Sequence, residues 1–243
     1  ELVDARVPLS SKNPDIDELA RNKYRLIVLN KADMADAKTR TAWQSYFEAK
    51  GFFVAKVNSQ KGAGMKEVKS LIEKVCQEKK ARDKKRGILN RPLRAMVVGI
   101  PNVGKSTFIN SFAGKACAKT GNKPGVTRKN QWIRVGSDIE LLDTPGILMP
   151  RLDENNAGVK LALTGNVKLE VVDNEELACS GINLLINEGY KKLLVDSYSI
   201  EEELLDEKAE LLRKGLVQIG ALGHFLRDEN GRIWELRKEG DLI

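Results

Sequence analysis

A single histidine, His224, and three widely separated cysteines, Cys76, Cys117 and Cys179, are all that these 243 residues offer as imidazole or thiolate metal ligands. There is no C-x-x-C pair and no His/Cys cluster at metal-ligand spacing, so a structural zinc site is excluded and a reducing, cytoplasmic setting is expected. Long apolar runs are lacking as well. No stretch approaches the roughly 18 residues of a membrane span, so no membrane partner is expected. The chain opens on Glu1 without a basic n-region or an apolar h-region, and no export signal is expected. What is present, 42% apolar and 31% charged residues, suits a globular α/β domain followed by a small second domain.

The net charge of +7 is unevenly spread: residues 1 to 149 carry 29 Lys and Arg against 15 Asp and Glu, and residues 150 to 243 carry 12 against 19. Within the basic half, Lys79, Lys80, Arg82, Lys84, Lys85, Arg86, Arg91 and Arg94 face a single acid, Asp83. That density is enough to contact a phosphate backbone. Taken by itself it equally suits a solvated helix end and linker.

Residues 1 to 150 alternate strand-like and helix-like stretches. Leu2-Val3, Arg25 to Leu29, Phe52 to Val57 and Leu93 to Val98 read as strands, while Gln131 to Val135 and Ile139 to Leu142 pair across a Gly136-Ser137 turn. Helices are expected over 14 to 22, 38 to 49 and 105 to 113. A further helix starts at Met65, where Val68, Leu71, Ile72, Val75 and Cys76 form one apolar face, and runs into the basic linker. Such alternation predicts a mainly parallel sheet covered on both faces. Residues 151 to 243 are expected to be mainly helical. Ser199 and Glu202 form a capping box ahead of Ile200, Leu204, Leu205, Leu211 and Leu212, with Gly215 as the stop. Asn230-Gly231 could close a small hairpin.

Three segments carry chemistry. Gly99-Ile100-Pro101-Asn102-Val103-Gly104-Lys105-Ser106 follows an apolar strand and opens a helix, as the phosphate-binding pattern G-x-x-x-x-G-K-[ST] requires. Its amides would close around phosphate, Lys105 would reach the β and γ phosphates, and Ser106 would hold Mg²⁺. Asp143-Thr144-Pro145-Gly146 ends another strand, placing Asp143 to hold Mg²⁺ through water and the Gly146 amide to meet the γ-phosphate. Asn30-Lys31-Ala32-Asp33 follows the Arg25 to Leu29 strand at the edge where ligands meet a parallel sheet. A carboxylate at Asp33 accepts from the two donors that guanine has and adenine lacks, and the Lys31 stem can cover the ring. Together with a phosphate loop, this predicts GTP and GDP as ligands rather than adenine nucleotides.

The set N-K-A-D, G-I-P-N-V-G-K-S, P-G-V-T (Pro124 to Thr127) and D-T-P-G resembles the motifs of the translation-factor-related GTPases, but in a different order, because Asn30 precedes Gly99. That order, with E-L-V-D-A-R-V-P at the start and L-L-D-T-P-G-I, resembles the circularly permuted GTPases of the bacterial ribosome biogenesis GTPase A group. The resemblance implies a circularly permuted P-loop GTPase domain with a small helical C-terminal domain. It implies an assembly factor that works on a ribosomal subunit precursor and its rRNA, with ribosomal proteins as further partners; a monomer is expected.

By position, the resemblance makes Thr127 the switch threonine that closes on Mg²⁺. It puts Asn58 and Ser59 in the loop whose amide meets the guanine carbonyl, with Ser59 in place of an alanine. Asn102, Val103, Gly104 and Thr107 join Lys105 and Ser106 around the nucleotide. Lys105, Thr127 and Gly146 become the groups acting on the γ-phosphate, and Asn102 is implied near a K⁺. Ile147 stands where many GTPases carry a water-orienting glutamine and cannot do that work. The group usually carries Pro-Gly-His-Met before the E-L-V-D strand, a stretch this sequence does not contain. His224 is expected to be an ordinary packing or surface residue.

Two other functions fit part of the pattern. An ATP-using P-loop kinase or ATPase with a substrate site in the helical half would share the phosphate loop, but N-K-A-D argues against it. A pure RNA-binding module would use the basic run, but intact Lys105, Ser106 and Asp143 argue against it. In the permuted order the D-T-P-G loop runs almost directly into residue 151, so contacts that order this loop would also pull on the second domain.

Overall fold

The computed structural model describes residues 1–88, 91–118, 130–146, 156–167 and 174–198. It divides into two compact units, Glu1–Leu152 and Asp153–Ile243.

In the first unit, β1 (Leu2–Asp4), β2 (Leu26–Asn30) and β3 (Phe53–Lys56) are parallel, with β2 in the centre. Four of the five β2 residues are buried in succession, as expected of a strand covered on both faces. The helix α3 (Ala37–Ala49) lays Trp43 and Phe47 against Val3, Ile27, Leu29 and Val54, with Phe52 joining from the turn into β3. It begins at Asp36, whose side chain accepts from the Thr39 amide, and that bond holds the carboxyl below its ordinary pKa. Two short helices, α1 (Pro8–Ser11) and α2 (Asp15–Leu19), lie between β1 and β2.

A second sheet has the order β4 (Leu93–Val97), β6 (Ile139–Asp143) and β5 (Gln131–Val135), with β4 and β6 parallel and β5 antiparallel to β6 across the Gly136 turn. The Leu2 amide donates to the Val98 carbonyl at 2.9 Å, so β1 lies beside the end of β4 and the two sheets continue edge to edge. Gly99 is packed so tightly there that a Cβ would stand 2.6 Å from the Leu2 oxygen. Among the described residues of this sheet, Met96 is 59% and Trp132 51% exposed, where cover on both faces was expected. Arg94 lies over the Trp132 ring and pairs with Glu140.

The apolar-faced helix α4 (Met65–Val75) stops at Cys76, and the basic run begins as a separate helix, α5 (Gln77–Lys85), rather than as a linker. Residues of α5 are polar all round and none is buried. The phosphate-loop helix α6 (Lys105–Ala113) starts after Gly104 and stops at Gly114, both in the left-handed region.

The described part of the second unit is helical: α7 (Ala157–Leu163), α8 (Asn174–Asn187) and α9 (Lys191–Tyr198). Ala162 packs on Leu177, and Gly181 of α8 lets Leu163 approach closely. The Ser199 capping box, the apolar set that follows it and the Asn230-Gly231 hairpin lie outside the described residues.

Candidate nucleotide site

Four strand ends build the site. β4 delivers the phosphate loop, and β6 runs beside it in parallel with Val97 opposite Asp143, so both loops leave the sheet at one level. The Thr144 hydroxyl donates to the Val97 carbonyl at 2.8 Å and ties the D-T-P-G turn to the end of β4. Gly146 then lies against the phosphate loop: a Cβ there would stand 2.8 Å from Lys105 Nζ and 2.8 Å from the Pro101 backbone. Only a glycine permits this approach.

Lys105 is folded inward, 7% exposed, with its ammonium donating to the Gly99 carbonyl at 2.9 Å and the Ile100 carbonyl at 2.8 Å. Burial pushes its pKa down to about 8, partly opposed by the charge of Asp143. Asp143 is itself buried, 2% exposed, at the end of β6. Asn102 adopts a left-handed backbone in the loop, at φ 54°, and Val103 is fully buried beneath it. Ser106 and Thr107 are half-buried in the first turn of α6.

At the end of β2, one strand beyond β1, Asn30 is 1% exposed and works in two directions. Its Nδ2 donates to the Val103 carbonyl at 2.8 Å, and its Oδ1 accepts from the Ser59 hydroxyl at 2.7 Å and the Ser59 amide at 3.2 Å. One amide side chain thus locks the N-K-A-D loop to the phosphate loop and to the loop after β3. The Ser59 amide, which the resemblance assigns to the guanine carbonyl, is here donated to Asn30. Asn58 shapes the same loop, with its Oδ1 accepting from the Gln60 and Lys61 amides at 2.9 and 3.0 Å. Lys31 has a left-handed backbone at φ 56° and opens a short 3₁₀ turn, Ala32–Met34, on which Asp33 is exposed.

Sequence reasoning overlooked Asp4. Its carboxylate is 0% exposed at the end of β1, opposite Asn30 in register, and it pairs with Arg6 and with Lys31. The D-A-R stretch was visible, but nothing local showed that Asp4 would meet a residue on the next strand. Thr127, Ile147 and His224 lie outside the described residues. No cluster of three or more His, Cys, Asp or Glu able to hold a metal occurs among the described residues.

Comparison with known proteins agrees with this geometry. Residues 94–212 match the 50S ribosome-binding GTPase family. A ribosome biogenesis GTPase A from Bacillus cereus is 46% identical over 202 residues, covering 83% of this chain and 68% of that protein. The chain belongs to the ribosome biogenesis GTPase A family. A second member, from Bacillus pumilus, is 38% identical over 244 residues and covers 98% of this chain and 86% of its own. In fold, the chain is similar to GNP-bound YlqF from T. maritima, with a TM-score of 0.55 over 96% of this chain and 80% of that one, at 24% identity. The GDP-bound form gives a TM-score of 0.56, covering 98% and 93%, at 23% identity. Membership makes the chain a GTPase with a P-loop fold.

The lowered pKa of Lys105 has a measurable consequence. Below about pH 8 the ammonium is charged before and after nucleotide binds. Above that value the free protein has lost the proton that a phosphate would restore, so binding must take one up. Affinity for GDP should therefore hold steady from pH 7 to 8 and fall above it, approaching tenfold per pH unit. Titration calorimetry in two buffers of different ionisation heat would show the uptake. A flat profile to pH 9 with no proton uptake would mean either that Lys105 keeps its proton in the free protein or that phosphate does not meet it.

Proposed function

We propose that this GTPase acts as a nucleotide-gated assembly factor on a precursor of the large ribosomal subunit, meeting rRNA through its basic half and ribosomal proteins beside it. The observation that carries the reading is the bond from Asn30 Nδ2 to the Val103 carbonyl, which couples the guanine loop to the phosphate loop at one sheet edge. The relatives' name, ribosome biogenesis GTPase A, and the 50S ribosome-binding description of the matched family support the choice of particle.

Within the site, Asp33 selects guanine, Lys31 covers the base, and Asn102 to Thr107 surround the phosphates. Ser106 and Asp143 present hard oxygen donors at the adjoining ends of α6 and β6, a set that suits Mg²⁺ shared with phosphate oxygens better than an all-protein cage. Thr127 would complete that set. Mg²⁺ bound there would neutralise charge on the β and γ phosphates. Lys105 and the Gly146 amide stabilise the γ-phosphate oxygens as charge develops. Asn102 would help hold a K⁺, which would add positive charge beside the phosphates. With Ile147 in the glutamine position, hydrolysis is slow in the isolated chain and is stimulated by the particle.

The basic surface is supported by α5, whose Lys80, Arg82, Lys84 and Lys85 are exposed, whereas Arg94 is engaged by Glu140 and Trp132. Residues 1 to 150 form the GTP-binding domain, and residues 151 to 243 form a helical domain to which the D-T-P-G loop transmits nucleotide state. On this reading the protein acts as a monomer in the cytoplasm; no described helix is long and apolar enough to cross a membrane.

Co-sedimentation with large-subunit precursors tests the reading. A GTP analogue should strengthen binding over GDP by about 5- to 150-fold. If about four to six cations contact phosphate, log affinity should fall with log salt at a slope of roughly −3 to −5. Neutralising Lys84, Lys85 and Arg86 should flatten that slope. Equal binding in both nucleotide states would refute the gating, and an unchanged slope in the triple variant would return α5 to a solvated helix.

A further inference from the structure

We propose that Asp4 is a positioning residue for guanine recognition, acting through Lys31. This rests on the reading of Asn30 to Asp33 as the guanine loop and adds a part to it. Lys31 leaves the end of β2, yet its Nζ lies 3.0 Å from Asp4 Oδ2 at the end of β1. The stem therefore spans from one strand end toward the next, along the edge where the base would lie, and its left-handed backbone sets that direction from the start.

Charge compensation alone does not require this contact. Arg6 already grips Asp4 as a fork, with Nε to Oδ1 at 2.9 Å and Nη2 to Oδ2 at 2.7 Å, and the Arg6 amide adds a third bond to Oδ1 at 3.1 Å. The carboxylate is thus fixed in direction and fully buried, while Lys31 is 23% exposed. The Asp4 amide donates to the Ser11 hydroxyl at 2.8 Å, which anchors its backbone as well. A rigid anion holding the tip of a flexible cation orders the four-carbon stem before ligand arrives. Less freedom is then lost when a purine settles on it.

The test uses the full chain, with binding of a fluorescent GDP probe followed by stopped flow. Lys31→Met keeps an apolar stem and removes the anchored tip; Asp4→Asn keeps the shape and removes the anchor. Both should weaken GDP by about tenfold, chiefly through faster dissociation, and the double variant should be no weaker than the worse single one. Losses that multiply in the double variant would show that Asp4 acts on the fold and not through Lys31. Wild-type affinity in Lys31→Met, a variant that leaves the Asp4–Arg6 fork in place, would overturn the proposal even if Asp4→Asn failed to fold. Asp33→Asn, measured in parallel, separates the two ideas: retained guanine preference there would undo the reading of the loop itself. Loss of preference there, with Lys31→Met unaffected, would undo only the anchor.

Discussion

Lys105→Ala is expected to weaken GTP and GDP by roughly a hundredfold or more while the chain stays folded, as read by calorimetry and far-UV circular dichroism. The ammonium already lies in a low-dielectric position, with two loop carbonyls as its hydrogen-bond acceptors and Asp143 as its nearby charge. Its desolvation is therefore part of the free protein, and a phosphate that replaces those carbonyls gains a charge-assisted bond without that cost. Alanine removes both the bond and the only cation buried in the loop among the described residues. Ser106→Ala should behave differently, since it takes away a hard oxygen donor and not a charge: binding should survive but lose much of its Mg²⁺ dependence. Near wild-type affinity in Lys105→Ala would mean that phosphate binds elsewhere.

The elements legible in the sequence were those bracketed by local signals. The helix Lys105–Ala113 matches its expected bounds because Gly104 and Gly114 both take left-handed conformations that stop and start it. Strand Gln131–Val135 matches because the Gly136 turn fixes the hairpin register. The helix α5 went unread because Gln, Glu, Lys, Ala and Arg favour helix while presenting no apolar face, so periodicity carried no signal. The exposure of Met96 and Trp132 is likewise invisible in an alternating strand, since the pattern says which residues share a face and not what covers it.

In the candidate site, the residues with chemistry in their own motif were legible from sequence as candidates: Lys105, Ser106, Asp143, Asn30 and Asp33. Those whose role depends on register between distant segments were not. Ser59 meets Asn30 across 29 positions of sequence, a contact that the loop's own residues do not reveal. Asp4 meets Lys31 only because β1 and β2 are in parallel register with Asp4 opposite Asn30. Spacing cannot express either contact.

Asp33→Asn should invert base preference and not merely weaken binding. The Asp33 carboxylate, exposed on the turn after Lys31, offers two acceptors to the N1–H and exocyclic amine of guanine. An amide offers one acceptor and one donor, so one guanine donor loses its partner and meets a donor instead. Xanthine presents an acceptor where guanine has the exocyclic amine, and it suits the amide. GTP affinity should fall by about ten- to hundredfold or more, and xanthosine triphosphate should become the better ligand. The phosphate loop is untouched, so the fold and the pH dependence set by Lys105 should persist in the variant. Asn30 offers the contrast. Removing its buried amide would unlink three loops at once and cost stability as well as affinity, whereas Asp33 has no such structural bonds to lose. Competition between GTP and xanthosine triphosphate in Asp33→Asn reads base recognition alone, and an unchanged preference for GTP would remove Asp33 from the site.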